Sequence, residues 1–321
     1  MSDAPATAAP AHTPAIELRG LTKRFGQTLA LDNVDLVVRP GAIFGFLGRN
    51  GAGKTTALRL LSGLARPTAG VAYILGHDVS HATDAVRSRI GFLPDVPGFY
   101  EWMTAREYLD FVGRLFGLDR ATREARATAL LEMAGLGLVT ARVGGFSRGM
   151  KQRLGIAQAL INAPSLLMLD EPTSALDPIG RREVLEMVAS LRGRTTVFFS
   201  THILADVERV CDAVAILERG RVVANAGIAD LTTRAASNRL TVEVDGDGAA
   251  AAIAASLGTR PWLRSIETDE RTIRLTVSDL PAAQREIPAA ITDAGAALRR
   301  FEIDEASLED VFVELVGGPA R

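Results

Sequence analysis

The stretch GFLGRNGAGKTTALRLLSGL, Gly45 to Leu64, sets an apolar run, a cluster of glycines, one lysine and two threonines directly before a segment with helical spacing. It satisfies G-x-x-x-x-G-K-[ST] at Gly48, Gly53, Lys54 and Thr55. That pattern has physical force where a buried strand precedes it and a helix follows, as the flanking residues predict here. Glycines let backbone N–H groups close round phosphate oxygens, and the helix dipole puts partial positive charge on the same spot. Gly48, Asn50, Gly51, Ala52 and Gly53 are therefore the expected wall of a phosphate cradle. Lys54 should reach the β- and γ-phosphates, the Thr55 hydroxyl should ligate Mg²⁺, and Thr56 should bind on the α-phosphate side. The same letters can make a glycine-rich turn that binds nothing; the flanking strand and helix and the contiguous Lys-Thr argue against it.

The surrounding chain predicts an α/β fold. GAIFGFLG, SLLMLD and TTVFFST are short continuous apolar runs, the signature of strands buried on both faces of a sheet flanked by helices. AIELRGLTKRFG and LALDNVDLVV alternate apolar and polar residues, as half-buried strands do. Helix-period segments lie between, including TTALRLLSGL, ATALLEMAGL, MKQRLGIAQALI and RREVLEMVASL. Residues from about Trp102 to Leu138 read as a mostly helical insertion. Around ANAGIADLTTRAASN buried strands give way to small and polar residues, which predicts a boundary near Ser237. Beyond it, two strand-like and two helix-like stretches predict a small α+β module. That module closes on SLEDVFVELV, where Ser307 can cap a helix with Asp310 three residues on, and Leu308, Val311, Phe312 and Leu315 share one face. Residues 1–14, rich in Ala and Pro, read as a disordered tail without the basic and apolar regions of a secretory signal.

The cradle needs a metal ligand and a group to activate water, and LLMLDEP offers both. Asp170 ends a buried apolar run, where a carboxylate is costly unless it serves a cation. Glu171 follows at the strand's carboxyl end, where sites in parallel sheets collect, and is the expected general base. Either carboxylate alone could simply face solvent at a strand end.

Several partners are excluded or disfavoured by composition. With 36 Lys and Arg against 38 Asp and Glu, the formal net charge of −2 leaves no basic excess to neutralise a nucleic-acid backbone. The single cysteine, Cys211, cannot form an internal disulfide and is expected to be a small buried hydrophobe. No apolar stretch reaches the roughly 18 residues needed to span a bilayer, so a membrane role would need another chain to cross it.

From Ile16 to Leu231 the chain resembles the nucleotide-binding subunits of ABC transporters, through several motifs in that family's order. GRNGAGKTT looks like Walker A, LLMLDEP like Walker B with its glutamate, SALD (Ser174 to Asp177) like the D-loop, and STH, ending in His202, like the switch histidine. FSRGMKQR stands where the signature motif belongs, and KRFG places Phe25 where an aromatic residue stacks on adenine. The resemblance implies a P-loop NTPase domain of ABC type over residues 15–235, with a helical subdomain at about 100–160. A small α+β accessory domain over 237–321 resembles that of bacterial drug-resistance and multidrug exporter ATPases.

By the same resemblance His202 reads the γ-phosphate, and Asp177 lies at the interface with a second subunit. Ser147 and Gly149 contact the γ-phosphate held by that subunit. Read without the resemblance, Ser147 is an ordinary helix N-cap, Asp177 turn chemistry before Pro178, and Phe25 a core aromatic. Two positions depart from the family. The usual L-S-G-G-Q is here Phe146-Ser147-Arg148-Gly149-Met150, and Asp95 in IGFLPD replaces a glutamine that touches Mg²⁺ and couples the site to the membrane partner. Asp95 could keep the metal contact while losing the amide donor, or be a surface acid in a Pro/Gly-rich loop.

The implied protein is an ATPase using ATP and Mg²⁺ at the cytoplasmic face of the plasma membrane. It would power an exporter through a separate permease and act as a head-to-tail homodimer with ATP between the subunits. The competing expectation is a soluble ABC-type switch in a non-transport process. Against it stand one cassette only, no long heptads and no CxxC pairs.

Overall fold

The chain alternates strand and helix for most of its length, and the strands sort into three sheets. The computed structural model describes residues 13–81, 84–231 and 239–303. The predicted tail, residues 1–14, lies outside the described residues except for 13 and 14, as do the Ser237 boundary and the closing helix from Ser307. Two compact units divide between Gly227 and Ile228.

In the first unit, β1 (Ile16–Phe25) and β2 (Thr28–Val38) form an antiparallel hairpin. They join β4 (Ala69–Ile74) and β5 (His77–Asp78) in a four-stranded sheet ordered β2-β1-β4-β5. Between them, β3 (Ile43–Gly48) leads through the loop 49–53 into α1 (Lys54–Leu61). The chain continues through α2 (Asp84–Arg87), β6 (Ile90–Leu93), α3 (Ala105–Leu115), α4 (Arg120–Met133) and α5 (Arg148–Leu160). There follow β7 (Leu166–Asp170), α6 (Pro178–Ala189), β8 (Thr196–Thr201), α7 (Leu204–Val210), β9 (Ala213–Glu218) and β10 (Arg221–Gly227).

The six-stranded sheet has the order β10-β9-β3-β8-β7-β6, parallel except for β10 at its edge. Every residue of β3, β7 and β8 is buried, as continuous apolar runs require when both sheet faces are covered. Register aligns Leu47 with Thr201 and Asp170 with Ser200, so the carboxyl ends of these three strands open at one edge. Beneath α1, Phe46, Leu58, Leu61, Phe198 and Leu217 share a core, with the Phe46 and Phe198 rings 5.3 Å apart. The helical insertion begins at α3, started by a capping box between Thr104 and Glu107, and Arg123 on α4 holds Asp110 on α3 at 2.7 Å. Tertiary pairing extends the sheet further than the sequence pattern suggested. Ala224 to Gly227 belong to β10, because an edge strand with one open face needs no continuous apolar run.

The second unit has the order β11 (Arg239–Asp245), α8 (Ala249–Leu257), β12 (Leu263–Asp269), β13 (Thr272–Val277), α9 (Leu280–Asp293) and β14 (Ala297–Ile303). Its antiparallel sheet is ordered β12-β13-β11-β14. Leu240, Val242 and Val244 alternate into a core with Ile253, Trp262, Ile273, Leu275 and Ile287, which is the α+β module the sequence predicts.

Candidate active site

The cradle is held by backbone constraints that only glycine satisfies. A Cβ on Gly48 would lie 2.5 Å from the Leu217 carbonyl oxygen, and one on Gly53, whose φ is +114°, would lie 2.4 Å from that of Ala30. Gly51 also has positive φ (+81°). The Ala52 N–H donates to Arg49 O at 3.1 Å, and its carbonyl accepts from Gly220 N at 2.9 Å, which pins the loop between β3 and α1.

Lys54 opens α1 with its side chain 6% exposed. Its ammonium donates to Gly48 O at 2.7 Å and Arg49 O at 3.2 Å and lies 3.1 Å from Glu171 Oε1. A buried cation without such partners would be strongly unfavourable.

Asp170 ends β7 at 2% exposure, accepting from Ser200 Oγ at 2.7 Å and from Thr55 Oγ1 at 3.3 Å. Burial pushes its carboxyl above the ordinary range. The bonds from Ser200 and Thr55 oppose that rise, and the nearby charges of Asp95 and Glu171 add to it. Glu171 takes a left-handed backbone, φ +49°, a conformation costing a non-glycine residue about 1–2 kcal/mol. Its amide is held in return by Ser200, donating to both the carbonyl and the hydroxyl oxygen at 3.1 Å. The turn sends its side chain back over the cradle, where Oε2 meets His202 Nδ1 at 2.8 Å.

A cleft of about 430 Å³ is lined by Asn50, Gly51, Gly53, Lys54, Thr55, Thr56, Asp95, Glu171, Ser174 and His202, with Thr28 to Ala30 of β2 on one wall. The structure thus gathers the cradle, the acids, the histidine and Asp95, with Gly48, Ala52 and Asp170 behind that lining. It does not gather Phe25, Ser147, Gly149 or Asp177. Phe25 ends β1 about half exposed with Lys23 Nζ 4.8 Å above its ring, so it is no core aromatic. Ser147 caps α5, its Oγ accepting from Met150 N at 3.2 Å, and Asp177 caps α6, accepting from Gly180 N at 3.0 Å. Thr55, Asp170 and Asp95 offer hard oxygen donors of the kind Mg²⁺ takes, and among the described residues no group of three or more His, Cys, Asp or Glu could hold a metal ion by itself. Sequence reasoning gave Ser200 no role, although a hydroxyl inside the buried run TVFFST was its signal. Thr28 to Ala30 contribute as backbone neighbours, which no residue type announces.

Residues 31–174 match the ABC transporter family, and 227–316 match the C-terminal domain of DrrA1-3-like ATP-binding proteins. The uncharacterized ABC transporter ATP-binding protein YxlF of Bacillus subtilis is 38% identical over 94% of this chain and 99% of its own length. The chain belongs to the ABC transporter ATP-binding proteins. Another member, the daunorubicin resistance ATP-binding protein DrrA3 of Streptomyces coeruleorubidus, is 38% identical over 96% of this chain and 97% of its own. Among solved structures, a dimeric ATP-binding cassette in a post-hydrolysis state, bound to ADP and Pi, superposes with a TM-score of 0.60 at 27% identity. It covers 66% of this chain and 98% of that one. As an ABC transporter ATP-binding subunit the chain binds ATP and is an ATPase, and subunits of this family dimerise and work with separate membrane permeases. Among the described residues no helix is long and apolar enough to cross a membrane. The non-transport reading finds no support in these relatives.

Proposed function

We propose that this ATPase powers export through a separate permease, at the cytoplasmic face of the plasma membrane, as a head-to-tail homodimer with two ATP molecules at its interface. The reading is carried by one observation: Lys54, Thr55, Glu171 and His202 line a single cleft with Asp170 directly behind it. Likeness to a daunorubicin resistance protein supports outward transport.

In this reading Gly48 to Thr56 wrap the phosphates, with Lys54 on the β- and γ-groups, and Phe25 takes the adenine. Thr55 and Asp170, with Asp95 from its loop, hold Mg²⁺, which when bound neutralises charge on the phosphate oxygens. Glu171 accepts a proton from water as the water oxygen bonds to the γ-phosphorus. The bond from that phosphorus to the β–γ bridging oxygen breaks, and ADP leaves with the electron pair. His202 donates a hydrogen bond to the γ-phosphate.

Ser147 and Gly149 lie outside the chain's own cleft, which supports their assignment to the partner's site, with Asp177 at the same interface. The helical insertion carries a groove of about 600 Å³ lined by aromatic side chains, among them Phe99, Tyr100, Tyr108 and Phe111, with Trp102 63% exposed nearby. That groove and the Asp95 loop are the docking surface for the permease. Copurification with a membrane partner and ATPase measured in lipid test the proposal; no membrane association under any nucleotide condition would overturn it.

A further inference from the structure

Asp206 is a fully buried carboxylate, 0% exposed, that the chemistry above does not use. It lies on α7, four residues beyond His202. Its two oxygens serve two other segments: Oδ2 accepts from Thr173 Oγ1 at 2.5 Å, and Oδ1 accepts from Arg181 Nε at 2.5 Å. Thr173, itself buried, stands two residues beyond Glu171 in the turn after β7. Arg181 stands on α6 four residues beyond Asp177, and its backbone N–H donates to Asp177 O at 2.9 Å. One side chain therefore ties together the segments that carry Glu171, Asp177 and His202.

Packing does not account for this arrangement. Asp206 is buried while its partner Arg181 is 33% exposed, and a pair of this kind yields little net stability. What such a pair supplies is fixed geometry. The turn it grips needs fixing, because Glu171 and Ala175 both adopt left-handed backbones, at φ +49° and +52°. Within the turn the Ser174 N–H donates to Glu171 O at 3.1 Å and the Leu176 N–H to Thr173 O at 3.4 Å, and Asp206 adds a tie from outside it.

We infer that Asp206 is a positioning residue that locks the histidine segment to the Glu171 turn and to α6, so that reading of the γ-phosphate and closure on a second subunit are one event. The inference rests on the roles proposed above for His202 and Asp177.

The test uses the full chain and three readouts: ATP affinity, the split between kcat and KM, and ATP-dependent dimerisation. Asp206→Asn keeps the shape and the acceptor for Thr173 but loses the charge facing Arg181. Thr173→Val removes only the hydroxyl donor, and Thr173→Ser restores it. Asp206→Asn and Thr173→Val should each lower kcat by about tenfold or more while leaving ATP affinity within about twofold. Thr173→Ser should retain most of the turnover. In a Glu171→Gln background, Asp206→Asn should weaken the ATP-dependent dimer.

Equal turnover in Thr173→Val and wild type overturns the inference. So does a loss in Thr173→Val that Thr173→Ser shares in full, or a loss in both positions that tracks melting temperature and ATP affinity alike. A parent Glu171→Gln chain that never dimerises with ATP would instead overturn the homodimer reading, leaving the kcat comparison to judge Asp206.

Discussion

Lys54 Nζ lies 3.1 Å from Glu171 Oε1, with the two side chains 6% and 12% exposed. The group proposed to hold phosphate and the group proposed to activate water are thus each other's counter-ion. In those proposed roles, a triphosphate entering the cradle would compete with Glu171 for Lys54 and, in winning it, free that oxygen of the base.

Glu171→Gln is expected to bind ATP at least as tightly as wild type, because the competing charge is gone, while kcat falls by about a hundredfold or more. Equilibrium nucleotide binding and steady-state ATPase on the same preparation check both halves. Turnover close to wild type would remove Glu171 from its role.

Lys54→Ala should weaken ATP binding by roughly ten- to a hundredfold, the worth of hydrogen bonds to charged groups. Titration calorimetry reads this directly. A melting curve should show lower stability as well, since Glu171 keeps His202 but loses its cation.

Two defective chains should repair one another. Lys54→Ala disables a cradle and Ser147→Arg a signature, so a head-to-tail pair made of one of each retains one site with both parts intact. Random mixing should recover on the order of a quarter of wild-type turnover, half the pairs being mixed with one working site each. Activity that stays at the sum of the separate chains would contradict a shared site.

Asp170 makes a prediction about pH. Its folded-state carboxyl is raised by burial above the ordinary aspartate range, so the folded protein binds the proton more tightly than the unfolded chain. Stability therefore falls as pH rises from the ordinary aspartate value through the raised folded one, and the loss persists above it. Asp170→Asn keeps the acceptor for Ser200 without the ionisation. In metal-free buffer it should melt progressively higher than wild type across that window, yet lose Mg²⁺-dependent turnover. A melting difference that does not change with pH would rule this out.

The cradle could be read directly because its demands are local. Gly48 and Gly53 answer to carbonyl oxygens that would strike any Cβ, and Lys54 and Thr55 follow in fixed order. The buried strands were equally legible, since a sheet covered on both faces favours continuous apolar runs, interrupted here by small hydroxyls such as Ser200 and closed in β7 by Asp170. Cys211 is buried as its surroundings suggested, and burial raises its thiol pKa. Ser200 was not legible as a partner of Asp170, because that pairing depends on the register of β8 against β7 rather than on neighbours in sequence. Asp206 sits in LADVER, a segment with the charges of an exposed helix, and only the packing of α7 against Thr173 and Arg181 makes it buried. Taken apart from the motif around it Phe25 has the size of a core residue, yet it ends a hairpin strand, where exposure follows from position.

Both oxygens of the Glu171 carboxylate are engaged, one by Lys54 and one by His202. In the proposed roles, a phosphate that draws Lys54 away still leaves the second oxygen of Glu171 tied to His202, so release of this carboxylate comes in two stages.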